Sequence, residues 1–211
     1  MWRHKILDSL RLSNKIELSG VIEADETFFR VSYKGSKPVD RCSRRRGGEC
    51  SKRGLSREQV CVPCAIERET KSSIAIIGGL GKTSQKFIEK VFAGKIKEKS
   101  ILCTDKEKSY IKFSKSHELE HIRFESVKSK KHIYHIQHIN SYHSRLKRFM
   151  EIFKGVSTKH LNNYLIWNNM IHENNAKSSE LFILDNILNR GLSYIGCILY
   201  SGISLRKSIP I

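Results

Sequence analysis

GVIEADETFFRVSY, residues 20–33, is dense in β-branched and aromatic side chains and reads as a strand. Its acids set the problem. Strand alternation puts Glu23 and Asp25 on one face and Glu26 on the other. A carboxylate buried in a sheet costs on the order of several kcal/mol unless it is paired or bound to a cation. Asp25, in the middle of the run, is therefore the first candidate site residue.

Upstream, Trp2 to Leu12 predicts a short helix, followed by a turn at Ser13-Asn14. Downstream, residues 34–58 contain RRGGECSKRG among many Arg and Lys, which predicts a mobile basic loop. QVCVPCAIER (59–68) and SSIAIIGGLG (72–81), separated by a turn at Thr70-Lys71, predict a hairpin that pairs with the first strand. Thr83 is placed to cap a helix, SQKFIEKVFAG, with Phe87, Ile88 and Val91 on one face and Gly94 as its stop. SILCTD (100–105) is a short strand ending in an acid, KEKSYIKFSKS (106–116) a helix, and HIRFESV (121–127) a strand. After the polar stretch KSKKHIYHIQH, one helix runs from Asn140 to Phe153 and stops at Gly155. Another starts at Ser157-Thr158 and runs through Asn174.

Three strands followed by alternating helices and strands predict an α/β fold with a mixed five-stranded sheet flanked by helices, the element order of an RNase H-like domain. Residues 1–19 are then a helical lead-in, 20–175 the main domain with 34–58 as a basic insertion, and 176–211 a C-terminal extension.

Charge narrows the partners. Among 211 residues, 39 Lys+Arg against 21 Asp+Glu leave a net +18, which favours polyanions, nucleic acid first and anionic membrane second. The longest apolar tail stretch, Leu192 to Leu205, is shorter than the roughly 20 residues a bilayer requires. The N-terminus lacks the features of a signal peptide. Six cysteines in this length do not form a small disulfide scaffold and predict reduced thiols in a cytoplasmic protein.

Asp105 ends an apolar strand, where the C-terminal edge of a parallel pair opens into a crevice. Beside Asp25 it forms a hard oxygen site suited to Mg²⁺. Two such ions can activate the attacking oxygen and stabilise the leaving one in an in-line displacement at phosphorus. Asn140 is the candidate third ligand, and helical spacing puts His143, Ser144 and Lys147 on its face. Lys34, Arg44, Arg45 and Arg46 in the loop, with His138, His143, Arg145, Lys147 and Lys159, are candidate phosphate contacts.

The segments GVIEADETFF, SYKGS, KRGLSREQVCVPCAIER, SILCTD and HIQHINSYHSRLKRFMEIFKGVSTKHLNNYLIW resemble the catalytic domain of bacterial insertion-sequence transposases, in the ISXO-like branch of the DDE superfamily. The likeness covers roughly residues 3–170, and its most specific block is HIQHINSYHSRLK. In that branch the third position of the triad is often Asn, with a Lys following on the same helix. The resemblance implies Asp25, Asp105 and Asn140 as metal ligands and Lys147 as their basic partner. It further implies an RNase H-like fold, Mg²⁺ or Mn²⁺, and cut-and-join chemistry by a homo-oligomer on transposon ends and target DNA. Such transposases usually begin with a zinc ribbon and a helix-turn-helix, so this chain is expected to be a truncated copy. Two rivals stand beside an active enzyme: an inactive remnant with the same fold, and a structural RNA-binding protein that uses charge alone.

Cys61 and Cys64, with Cys42 and Cys50, offer four thiols, but the spacing does not suit a zinc knuckle and CVPC falls in a strand. His132, His135, His138 and His143 are read first as approaches to phosphate, with His143, on the Asn140 stripe, kept open as a second metal ligand. The stretch from Gly78 to Thr83 lacks phosphate-loop spacing and is read as a turn. Tyr33, Tyr110, Tyr142 and Trp167 can stack on bases, though core packing is the commoner fate of such residues.

Overall fold

A computed structural model describes His4, Leu7, Asp8 and residues 16–35, 56–124 and 133–177, with side chains through 172. The strands are β1 (Val21–Arg30), β2 (Gln59–Glu67), β3 (Ser73–Ala75), β4 (Gly79–Leu80), β5 (Ile101–Thr104) and β6 (Glu120–Arg123). The helices are α1 (Gln85–Phe92), α2 (Ser109–Ser116), α3 (Gln137–Glu151) and α4 (Leu161–Lys177), with a 3₁₀ turn at Thr158–His160. Most of the basic loop 34–58, including Arg44, Arg45, Arg46, Cys42 and Cys50, lies outside the described residues, as do His132 and the extension from 178 onward.

The sheet runs β3-β2-β1-β5-β6, with β4 also paired to β2. β1 is antiparallel to β2 and parallel to β5, and β5 is parallel to β6. A three-strand antiparallel half joined to a parallel half at β1 is the RNase H-like arrangement. Both faces of the sheet are covered. Val60, Val62, Cys64, Ile66 and Cys103 pack against Ile139, Tyr142, Leu146 and Met150 of α3 and Leu161, Tyr164 and Leu165 of α4. Ile22, Ala24, Ala65 and Leu102 pack on the other face against Ile88, Val91 and Phe92 of α1 and Tyr110 and Phe113 of α2. β2 is buried on both faces, which is why its sequence is apolar almost without a break.

The sheet has six strands rather than five because the expected strand 72–81 is split. Pro63 is the cause. It carries no N–H to offer a neighbour, and it lies between Cys64, which pairs with Ala75, and Cys61, which pairs with Gly79. The intervening residues bow away, and the freed amide of Ile77 donates to Asn162 Oδ1 of α4 at 2.8 Å. In the bow's return the Phe87 ring packs onto Gly79, where a Cβ would fall 2.1 Å from it and the ring would have to move.

Several boundaries shift for similar local reasons. Ser84, not Thr83, is the N-cap of α1, its hydroxyl accepting from the Phe87 amide. The Thr83 hydroxyl instead meets Cys61 Sγ at 3.4 Å. α3 begins at Gln137, three residues earlier than expected, and ends at Glu151. Tyr110 and Tyr142 are fully buried, and Trp167 packs edge-on to Phe149, so these rings build the core. At the lead-in, Leu7 joins the α3–α4 core and Asp8 accepts from Asn163 Nδ2 at 2.7 Å. Among the described residues, no helix is long and apolar enough to cross a membrane.

Lys34 has a structural task that its position in a basic loop did not suggest. Its Nζ donates to the carbonyls of Phe153, Lys154 and Gly155 at 3.0, 3.3 and 2.9 Å, just past α3. A cation there satisfies orphaned carbonyls and opposes the negative end of the helix dipole. Lys34→Met is expected to lower stability by about 1 kcal/mol, read by urea unfolding, while DNA affinity changes by less than roughly twofold. A large loss of DNA affinity with unchanged stability would return Lys34 to the phosphate contacts.

Candidate active site

β1 and β5 run side by side in parallel, with Ala24 opposite Thr104 as their last pair. The next residue on each is an aspartate, so Asp25 and Asp105 come near one another where β5 ends, close enough for their charges to interact, and alternation turns Asp25 toward α3. Asp105 Oδ1 accepts from the Glu107 amide at 2.9 Å, a local turn that fixes the carboxylate as the chain leaves the sheet. Thr104 is anchored beneath it, with its hydroxyl 2.8 Å from both the Asp105 carbonyl and His121 Nε2.

The acids are poorly compensated. Burial raises the Asp25 pKa to about 6, the charge of Asp105 adds to the rise, and the Glu26 amide and Lys147 oppose it. Glu26, pointing to the other face, is pushed up to about 8 by burial and by the charges of Asp25, Asp105 and Glu107, with the Tyr110 hydroxyl opposing. Its Oε1 is buried without a hydrogen bond. The crowding of like charges around a partly open Asp25 is what a bound cation would relieve. The donor set is hard and anionic, suited to a divalent cation.

α3 supplies the opposite wall. His143 Nδ1 stands 3.7 Å from Asp25 Oδ2, with 11% of the His143 side chain exposed. Burial and the nearby Lys147 ammonium push its pKa down to about 4, so the ring is neutral. One turn earlier, Asn140 commits its Nδ2 to the Ile136 carbonyl at 2.7 Å, which leaves Oδ1 as its uncommitted end. No hydrogen bond joins Asn140 to Asp25 or Asp105 among the described residues. Lys147, one turn after His143, lies close enough for its charge to act on Asp25.

Arg145 faces elsewhere. It donates to Ser141 Oγ at 3.1 Å, and its charge acts on Tyr142 and His172, on the α4 side. Lys159 is exposed in the 3₁₀ turn. Cys61 and Cys64 lie on opposite faces of β2, the first against Thr83 and the second in the α3–α4 core.

Sequence reasoning placed Glu23 on the Asp25 face but missed its role. Glu23 is fully buried. Its Oε1 is 2.9 Å from Arg68 Nε and 2.8 Å from His138 Nδ1, and its Oε2 accepts from the amides of His138 and Ile139 at 2.8 and 3.2 Å. Arg68 also donates to the carbonyls of Ile133 and His135, which lead into α3. Glu23, His135 and His138 each offer a donor atom within 4.8 Å of the others, a spacing compatible with a metal. The Glu23 oxygens, however, are already engaged by Arg68 and the helix, so here the cluster acts as a tether. The sequence signal was a buried acid with an Arg at the end of the neighbouring strand, Arg68 following β2.

A carboxyl whose pKa is raised by folding binds its proton more tightly in the folded state, so stability falls as pH rises from the unfolded value through the folded one. For Glu26 that window runs from 4.5 to about 8. The metal-free protein is therefore expected to be less stable at pH 8.5 than at pH 5.5. Glu26→Gln should raise its Tm at pH 8.5 by roughly 3 °C or more and flatten the slope above pH 6. Thermal melts with and without the substitution test this, and a lower Tm in the variant at pH 8.5 would contradict the electrostatic account.

Comparison with known proteins places this geometry. The ISXO2-like transposase domain matches residues 17–166, a span that contains Asp25, Asp105 and Asn140. Among solved structures, the HTLV-2 integrase catalytic core domain in complex with magnesium, in its dimeric form, aligns at 9% identity and TM-score 0.43, covering 73% of this chain and 88% of that one. A simian T-cell lymphotropic virus intasome with a PP2A regulatory subunit, B56 gamma, aligns at 10% identity and TM-score 0.43, covering 72% and 48%. A pre-cleavage Mos1 transpososome aligns at 11% identity and TM-score 0.32, covering 98% and 64%. Each of these structural likenesses is distant. Comparison with curated proteins gives no match. The family match spans most of the chain and includes β1, which carries Asp25, and β5, which Asp105 directly follows: this protein belongs to the ISXO2-like transposase domain family.

Proposed function

We propose that the chain is the catalytic domain of an insertion-sequence transposase that cleaves DNA at the element's ends and joins them to target DNA, acting as a homo-oligomer. The observation that carries this reading is the approach of Asp25 and Asp105 to one another past the last parallel pair of β1 and β5, opposite the Lys147 face of α3. Asp25 and Asp105 are the residues to hold the cations, with Asn140 Oδ1 completing one shell. Two bound Mg²⁺ or Mn²⁺ ions supply the Lewis acidity for in-line displacement at phosphorus.

The chain's own groups do the rest. Lys147 draws the scissile phosphate to the carboxylates and offsets part of their charge. Glu26, protonated at neutral pH, adds no negative charge against the incoming backbone. His143, neutral and mostly buried, keeps bulk water from one side of Asp25. The net charge of +18 suits a DNA partner, gripped through phosphates without reading sequence. Residues 20–175 form the catalytic domain in this reading, with 1–19 as its lead-in and 176–211 as an extension.

Asp25→Ala and Asp105→Ala should each reduce Mg²⁺-dependent strand transfer of a precut donor end by more than about 100-fold, while salt-sensitive DNA binding stays within roughly twofold. Full transfer activity in either variant would overturn the assignment. A wild-type chain that binds DNA but transfers nothing under any divalent cation would support the inactive-remnant reading instead.

A further inference from the structure

We propose that His143 is a nitrogen ligand to the divalent cation held by Asp25, which makes this a mixed nitrogen–oxygen site. The inference rests on the metal site proposed above and adds a donor to it.

The geometry argues against the ordinary alternatives. At 3.7 Å, His143 Nδ1 is too far from Asp25 Oδ2 for a hydrogen bond, which would need the atoms closer by roughly 0.7 Å. Two donors of one cation, however, sit about 3 Å apart when adjacent and about 4.2 Å apart when opposite, for bonds near 2.1 Å. The observed separation falls between these limits. The ring is 11% exposed, Nδ1 is the nitrogen turned toward the Asp25 carboxylate, and Nε2 is buried without a partner. The groups facing the ring are Asp25 from β1 and Lys147 from α3, with the Tyr142 ring centroid 6.1 Å away. None of them offers either ring nitrogen a hydrogen bond. Asn140, one turn earlier on α3, stands on the same face with a free Oδ1.

An imidazole donor has a chemical consequence. Nitrogen ligands favour later divalent ions, so affinity for Mn²⁺ gains over Mg²⁺ relative to an all-oxygen site.

The test uses the untagged full chain with Mn²⁺ alone and pulsed EPR. The expected result is a directly coordinated nitrogen coupling that changes when the protein is labelled with ¹⁵N-histidine. His143→Gln should abolish that coupling with Mn²⁺ still bound. Its Mn²⁺ affinity should fall by about tenfold, and its Mg²⁺ affinity by less than roughly twofold. Asp25→Asn should remove the nitrogen signal along with the tightly bound Mn²⁺, which places the histidine at this site even if His143→Gln fails to fold. Bound Mn²⁺ without a histidine nitrogen in the wild type, or a coupling that survives in folded His143→Gln, overturns the inference and leaves the carboxylate site standing. Mn²⁺ binding indifferent to Asp25→Asn overturns the metal site itself and the inference with it.

Discussion

Glu23 joins the sheet to α3, and the geometry of the site follows from that joint. The N-terminus of a helix presents amides with no internal partner, and they are usually met by a capping side chain from the residue just before. α3 has no such cap at Ile136. Its amides at His138 and Ile139 are met instead by a carboxylate from the middle of β1. Arg68 neutralises that carboxylate and holds the Ile133 and His135 carbonyls, so the approach to the helix and its first turn are fixed to one atom group. Removing one partner of such a buried set costs about 3–5 kcal/mol. Two residues further along β1, Asp25 points the same way, about 6.8 Å on. A helical turn advances about 5.4 Å. The same joint therefore brings the second and third turns of α3, with His143 and Lys147, level with Asp25.

Glu23 and its neighbours on β1 show two ways of burying an acid. Both Glu23 oxygens meet donors, one of them a guanidinium. Asp25 and Glu26 have no comparable partners, and burial with mutual repulsion raises both pKa values. The first arrangement stabilises the fold. The second makes the metal-free fold less stable at neutral pH and turns that deficit into affinity for a cation, because anything that binds only the folded state adds its binding energy to stability. Structural and candidate catalytic acids thus alternate within four residues of one strand.

Most of the sheet was legible in the sequence, because β1, β2 and β5 are short apolar runs whose faces follow from a period of two. That period also separated Glu23 and Asp25 from Glu26. The two aspartates were legible as acids where apolar strands had no local use for them. What was not legible depended on tertiary partners. Pro63 marked a gap in β2's pairing, but its effect on residues 76–78 required knowing which strand lay on that side. The start of α3 was misplaced because its cap is 115 residues away in the sequence. Lys34 looked like part of a phosphate-binding loop because nothing local reveals that the end of α3 lies beside it.

α3 serves the core and the candidate site at once, and a single helix can do both only if its rotation is settled. Ile139, Tyr142, Leu146 and Met150 face the sheet and α4, and the Tyr142 hydroxyl donates to Asn169. Asn140, His143 and Lys147 follow one position later on the adjoining stripe. A rotation by one residue, about 100°, would move Lys147 away from the carboxylates and bring Arg145 toward the sheet. Such a rotation would also bury Ser141 in place of Tyr142 and break the Glu23 contacts. The packing of Leu146 and Met150 along the helix and the capping by Glu23 at its start therefore resist the same displacement. This is how an exposed lysine and an uncharged asparagine can be held to a fixed relation with Asp25 without bonding to it.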